Sequence, residues 1–269
     1  MTTGSQKGEA MSFFVQPLPA FADNYLWLVA AGQDALVVDP GDAGPVAAAL
    51  ERHGLRLAAI LVTHHHLDHT GGVAELAARW HCPVYGPPSP KIPSITDSLR
   101  EGDRIAIPGG TLQVLEVPGH TLDHIAFWGP DFAGAPRLFC GDTLFAAGCG
   151  RLFEGSPQQM WQSLDKLAAL PDATLVHCAH EYTLANLRFA RAVEPDNGDI
   201  AERLAQAEGL RRRGLPTVPS TLELERRTNP FLRWHVPAVQ AAAQRFLGRP
   251  PRDAVEVFAA IRQWKDQFR

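Results

Sequence analysis

The chain has 269 residues, 45% of them hydrophobic, and a formal net charge of -4. That is long enough for one large α/β domain with a smaller appendage, and its charge leaves no basic field for grasping polyanions, which argues against nucleic-acid binding. No apolar window reaches the length of a membrane span, and Cys82, Cys140, Cys149 and Cys178 are scattered without a CxxC pair, so a reducing compartment, the cytoplasm, is expected.

Residues 1–10, MTTGSQKGEA, carry neither an apolar run nor arginines and read as a disordered lead, with native sequence from about Met11. NYLWLVA and ALVVD then read as strands, GPVAAALERHG as a helix and LAAILVT as a buried strand. GGVAELAARW reads as a helix and PVYG as a strand. LQVLEV, HIAFW and RLFCGD form a further strand series, each bounded by Gly or Pro. PQQMWQSLDKLAAL is expected to be a helix, and TLVHCAH a closing strand.

From Tyr182 onward the pattern is helical, in LANLRFARAVE, DIAERLAQAEGLRRRG and DAVEVFAAIRQWKDQF, with no strand between them. The prolines of LPTVPSTLELERRTNPF predict an extended, turn-rich crossing. Arg211 to Arg213 are explained as favourable charges at a helix end before Gly214. The expected division is a catalytic domain over 11–181 and a helical, substrate-binding domain over 182–269.

The strand LAAILVT runs into THHHLDHTGG, where His64, His66, Asp68 and His69 share one tight turn. Imidazole nitrogen and carboxylate oxygen suit zinc, iron and manganese, and a strand's carboxyl end is where open α/β sheets place their chemistry. Gly71 and Gly72 are expected to let the backbone turn sharply into the next helix. The alternatives are a solvated histidine loop and an affinity tag, of which the tag would lie at a terminus and lack the buried strand before it and the aspartate within it. His65 alternates away from its neighbours and reads as structural or as support for a ligand. His120, Asp142 and His180 each follow a predicted strand with a small residue beside them; each alone is weak, and together with the first cluster they form a strong signal.

These segments, with DNYLWLV, VVDPG, PGHTLDH, GDTLFAAGCG, HEYTLANLRFA, PTVPST, NPF and KDQF, resemble the metallo-β-lactamase superfamily and, from Met11 to Phe268, its glyoxalase II (hydroxyacylglutathione hydrolase) family. The resemblance implies a four-layer αβ/βα sandwich followed by a smaller helical domain that completes the substrate pocket. It implies two divalent metal ions, zinc first, with iron or manganese possible. His64, His66 and His120 would hold one ion, Asp68, His69 and His180 the other, and Asp142 would bridge them. Asp68 and Asp142 are the expected catalytic carboxylates. Two ions about 3.5 to 4 Å apart share a water whose lowered pKa supplies hydroxide at neutral pH. Asp39 reads either as a partner of a ligand imidazole or as a turn aspartate before Pro40 and Gly41.

The implied substrate is a small-molecule glutathione thioester, S-D-lactoylglutathione above all, as in methylglyoxal detoxification, acted on by a monomer. Arg151, Tyr182, Arg262 and Lys265 are the implied substrate-binding residues. On the residues alone, Arg262 and Lys265 are i and i+3 on one helix and fit a carboxylate grip or a solvated basic face. Arg151 stands where the family often has Lys, and Phe153 where Tyr is common. Cys140 and Cys149 read as buried inert thiols, and His53, His81, His124, His177 and His235 have no paired ligand spacing. The competing readings are a mononuclear-iron glutathione persulfide dioxygenase and a non-catalytic metal-binding carrier of glutathione conjugates. A β-lactamase would present a Cys ligand where this chain has Asp142.

Overall fold

The computed structural model describes residues 13–268; the expected lead over 1–10 and a start near Met11 lie outside the described residues. The first half runs β1 (Phe13–Ala20), β2 (Asn24–Ala31), β3 (Asp34–Val38), α1 (Ala43–His53), β4 (Arg56–Leu61), α2 (Leu67–Thr70), α3 (Val73–Trp80), β5 (Val84–Gly86) and β6 (Asp97–Ser98). Next come β7 (Arg104–Ile107), β8 (Gly110–Glu116), β9 (Ile125–Phe132), β10 (Ala135–Gly141), the short pair β11 (Leu144–Phe145) and β12 (Gly148–Cys149), α4 (Pro157–Ala168) and β13 (Leu175–Cys178). The remainder is α5 (Thr183–Val193), α6 (Gly198–Arg212), β14 (Ser220–Thr221), α7 (Leu222–Thr228), a 3-10 turn (Pro230–Leu232), α8 (Pro237–Leu247) and α9 (Ala254–Gln267).

The strands form two six-stranded sheets, ordered β1-β2-β3-β4-β5-β6 and β14-β13-β10-β9-β8-β7. Trp27, Val29, Leu36 and Leu61 of the first sheet pack with Val114, Phe127, Leu138, Phe139 and Val176 of the second. The alternate residues Leu26, Leu28, Val37 and Ile60 pack beneath Val46, Leu50, Val73 and Leu76 of α1 and α3. These central strands are covered on both faces, which is why they read as unbroken apolar runs. Met160, Leu164 and Leu167 of α4 join the inter-sheet cluster, and a Ser156–Gln159 capping box with Pro157 in the first turn starts that helix. The arrangement is the expected αβ/βα sandwich with helices at its C-terminal end.

Four elements depart from the sequence reading. β1 carries Pro17 and Pro19 and was not expected as a strand; it is an edge strand paired only with β2, where a missing N–H is tolerated. The C-terminal part is not free of strands, because Ser220 and Thr221 pair antiparallel with Val176 and Leu175 of β13. The proline-rich crossing is extended only at first: Thr221 caps Leu224 N and starts α7. α8 was also not among the expected helices; Pro237 begins it and Gly248, in the left-handed region, ends it.

Gly71 and Gly72 sit where expected, for a different reason. Their φ angles, -59° and -91°, are open to any residue. A Cβ on Gly71 would stand 2.5 Å from Gly41 O, and one on Gly72 2.5 Å from Ala43 N, so close packing of the 40–43 loop demands glycine rather than the turn itself.

Candidate metal centre and its cavity

The loops after β4, β8, β10 and β13 converge at one mouth of the sandwich. His64 Nε2 and His120 Nε2 each lie 3.1 Å from His66 Nδ1, and Asp142 Oδ2 lies 3.2 Å from His120 Nε2. Asp142 turns its other oxygen, Oδ1, to His69 Nε2 at 3.4 Å and His180 Nε2 at 3.3 Å. Asp68 Oδ2 stands 3.5 Å from each of those two imidazoles. Donor atoms sharing an ion at about 2.1 Å stand roughly 3.0 to 3.5 Å apart, so the spacings in both sets are compatible with coordination. His64, His66, His120 and Asp142 therefore make one set, Asp68, His69 and His180 the other, and Asp142 faces both.

Neighbouring groups leave the inward nitrogens bare. The Thr63 hydroxyl donates to Asp39 Oδ2 at 2.8 Å, so at 3.0 Å it accepts the proton of His64 Nδ1. His120 Nδ1 donates to Arg151 O at 2.9 Å, and His180 Nδ1 to Asp23 Oδ1 at 2.8 Å. His69 Nδ1 is 3.1 Å from Asp39 Oδ2, out of line for a hydrogen bond. Of the two readings of Asp39, the structure favours the supporting one: it touches Thr63 and His69 together. His69 Nε2 and Asp142 Oδ1 are buried with no hydrogen-bond partner. A pair of divalent ions is the partner this donor set fits, because orphaned polar atoms at such depth are costly.

The electrostatics agree. Burial, then His69 and His124, holds His64 well below the usual imidazole range, and burial followed by His120 lowers His66. Burial, the largest influence, opposes charge on His69 and His180, but Asp142, joined by Asp39 at His69 and by Asp23 at His180, more than offsets it and both are raised. Burial pushes Asp142 up, yet His69 and His180 hold it well below the carboxylate range. The site is built around an ionised carboxylate that requires cations beside it.

The sequence-predicted substrate residues line the same cavity of about 600 Å³ as His66, Asp68, His120, Asp142 and His180. Tyr182 stacks on His180 at 4.8 Å, and Arg151 is exposed at the rim, 4.0 Å from Asp266 Oδ1. Phe153 is exposed, edge-on to His66 and His120. Arg262 is not the open fork that was expected: it is buried, with Nη1 on Cys149 O and Nη2 on Asp266 Oδ1, both at 2.9 Å. Only its Nε lacks a partner. Lys265, half-buried, reaches Ala185 O at 3.3 Å. Cys149 lines the cavity, with burial pushing its thiol up to about 11, and burial holds Cys140 well above the usual thiol range.

Sequence reasoning missed four supporting residues. His124 accepts the Asp142 N–H at 3.0 Å and stacks on His64 at 4.6 Å; burial lowers it to about 3, so it is a neutral acceptor. Asn24 Nδ2 donates to Asp68 Oδ2 at 3.0 Å, and Asp23 holds His180. Asp123 grips His65 Nδ1 at 2.9 Å, which accounts for His65 standing apart from the ligands. The HTLDH and DN signals were visible, but nothing in the spacing tied them to ligands up to 157 residues away.

Residues 22–180 match the profile of the metallo-beta-lactamase superfamily, and residues 181–268 that of the hydroxyacylglutathione hydrolase C-terminus. A hydroxyacylglutathione hydrolase of Alkalilimnicola ehrlichii is 59% identical over 254 residues, covering 93% of this chain and 97% of its own. That of Hahella chejuensis is 56% identical over 255 residues, covering 94% and 99%. Among solved structures, TTHA1623 in a di-iron-bound form superposes with a TM-score of 0.58 at 31% identity, covering 81% of this chain and all of that one. With both halves matched and such identity along nearly its whole length, the chain belongs to the hydroxyacylglutathione hydrolase family of the metallo-beta-lactamase superfamily.

Proposed function

We infer that this chain hydrolyses S-(2-hydroxyacyl)glutathione thioesters, S-D-lactoylglutathione above all, to glutathione and the hydroxy acid, the hydrolytic step of methylglyoxal detoxification. The observation that carries the reading is Asp142 presenting one oxygen to each of two ligand sets at the floor of a cavity that also holds cationic side chains. His64, His66 and His120 would hold one divalent ion, and Asp68, His69 and His180 the other, with Asp142 between. Zinc is our assignment, on the nitrogen- and oxygen-rich donor set. Ions there would supply a nucleophilic water at neutral pH and polarise the thioester carbonyl.

The chain's own residues do the rest. Thr63, Arg151 O and Asp23 fix the imidazole tautomers, Asn24 orients Asp68, and His124 orients the peptide of Asp142. Arg151, Tyr182 and Lys265 are placed to orient the peptide of glutathione, while Arg262 braces the cavity wall through Cys149 O. No acyl-enzyme is needed, because the cavity's thiol, Cys149, stays protonated at neutral pH. We take the working unit to be a monomer. Four free cysteines support a cytoplasmic setting, and no helix among the described residues is long and apolar enough to cross a membrane.

A thiol-release assay on S-D-lactoylglutathione, with the acid product identified, tests the reading directly. Release of glutathione and D-lactate without oxygen uptake is expected. Tight binding without thiol release would make the chain a carrier, and oxygen uptake with glutathione persulfide would make it the dioxygenase.

A further inference from the structure

Glu181 directly follows His180, but its side chain does not line the cavity; it is 8% exposed in the seam between the ligand loops and the C-terminal helices. Its carboxylate accepts from Tyr25 Oη at 2.9 Å, from Thr217 N at 2.9 Å and from Thr217 Oγ1 at 2.6 Å. Arg211 Nη1, which donates to Leu215 O, stands 3.7 Å away. The Arg211 that the sequence explains as a helix-end charge is thus aimed into this seam.

Backbone contacts lace the same two segments together. Tyr25 N donates to Ala179 O at 2.7 Å, Glu181 N donates to Asp23 O at 2.9 Å, and Asn24 forms an isolated β-bridge with His180. The Tyr25–Glu181 hydrogen bond locks this lace from the side. Its two working ends are the Asp23 carboxylate on His180 Nδ1 and the Asn24 amide on Asp68 Oδ2. Both ends serve the Asp68–His69–His180 set; the supports of His64 and His120 are Thr63 and Arg151 O.

We propose that Glu181 is a positioning residue for the Asp68–His69–His180 set: by locking residues 23–25 against 179–181 it aims His180 and Asp68, and through Thr217 and Arg211 it makes that aim depend on the C-terminal segment. The proposal rests on the two-ion reading above. A Gln at this position keeps the shape but offers one acceptor oxygen where the carboxylate offers two, and loses the charge that faces Arg211, so the lock loosens without an emptied space.

Stepwise zinc titration of the metal-free protein against a competing chelator tests it. Wild-type protein is expected to bind two zinc ions. Glu181→Gln should weaken by about 10- to 100-fold the one step that Asp68→Ala abolishes, and leave the other within about threefold. Thr217→Val should show the same one-sided loss, and Thr217→Ser should restore it; this pair carries the test if Glu181→Gln does not fold. Two unchanged steps in Glu181→Gln and Thr217→Val, or both steps weakened alike, would overturn the proposal. A wild-type protein that binds a single zinc ion would overturn the two-ion reading and the proposal with it.

Discussion

Two side chains near the centre, half-buried Lys265 and buried His124, act through charge or through one hydrogen bond, and each gives a sharp expectation. Burial, then Arg262 and Arg151, lowers Lys265 to about 8. Its ammonium is therefore lost as pH rises through that value, well before an ordinary lysine titrates. If it holds the carboxylate end of glutathione, kcat/KM should fall as pH rises through about 8, since that ratio reports free-enzyme ionisations. Lys265→Arg, charged throughout, should remove the inflection, and an inflection kept in that variant would dissociate Lys265 from substrate capture. His124→Phe keeps a ring against His64 but strips the acceptor from the buried Asp142 N–H. We expect a loss of about 1 to 3 kcal/mol in urea unfolding, with zinc retention reduced as well; unchanged stability would mean that the N–H finds another partner. The residues gathered at the centre were legible because each lies just past a strand in a short polar stretch. Asp23, Asn24 and His124 were not, because their partners lie on loops distant in sequence that only the assembled fold brings together, which no local pattern encodes. The expectation for Arg262 failed on the same ground: a helical i,i+3 spacing gives a face, not the Cys149 carbonyl and Asp266 that occupy the guanidinium.

The hairpin β11–β12 follows Asp142 at once, and besides its own strand pairing its turn is held by side chains from far along the chain. Asn229 Nδ2 donates to Phe145 O at 3.1 Å and to Gly148 O at 2.9 Å, Asn186 Nδ2 to Ala146 O at 3.0 Å, and Glu225 Oε2 accepts Ala147 N at 2.8 Å. Asn229→Ala leaves two buried carbonyls short of a donor, so we expect a drop in unfolding free energy of about 1 to 3 kcal/mol. The drop should come with a higher KM, because the hairpin carries Cys149, whose carbonyl anchors Arg262. A variant with wild-type stability and KM would show the hairpin holding itself. Most strands and helices of the sandwich were readable from periodicity and from Gly and Pro punctuation. Those that escaped were elements whose state is decided by neighbours: β1 is an edge that tolerates proline, and β14 exists only because β13 presents an open edge. α7 was hidden by the prolines just before it, although Thr221 with acidic Glu223 and Glu225 in the first turn is a sound helix start.

Across the whole molecule, residues after Tyr182 do more than line the cavity. They add β14 to the second sheet, grip the hairpin beyond Asp142, and send α9 along the cavity wall. The boundary we place between 181 and 182 therefore divides roles more than it divides stability, and Glu181 sits on the seam. The four-layer architecture and the two-part plan were legible because both halves carry their own periodicity; the dependence of one half on the other was not, since it resides in long-range polar contacts such as Asn229 with Phe145 and Glu181 with Tyr25. The central claim is that a two-ion centre bridged by Asp142 performs thioester hydrolysis. Metal-free protein reconstituted with graded amounts of zinc, with ion content and thiol release from S-D-lactoylglutathione measured on the same samples, tests it most directly. The account predicts that the rate reaches its plateau only as the second ion per chain is bound, that chelation abolishes it, and that zinc restores it; a full rate at one ion per chain, or in the chelated protein, would contradict it.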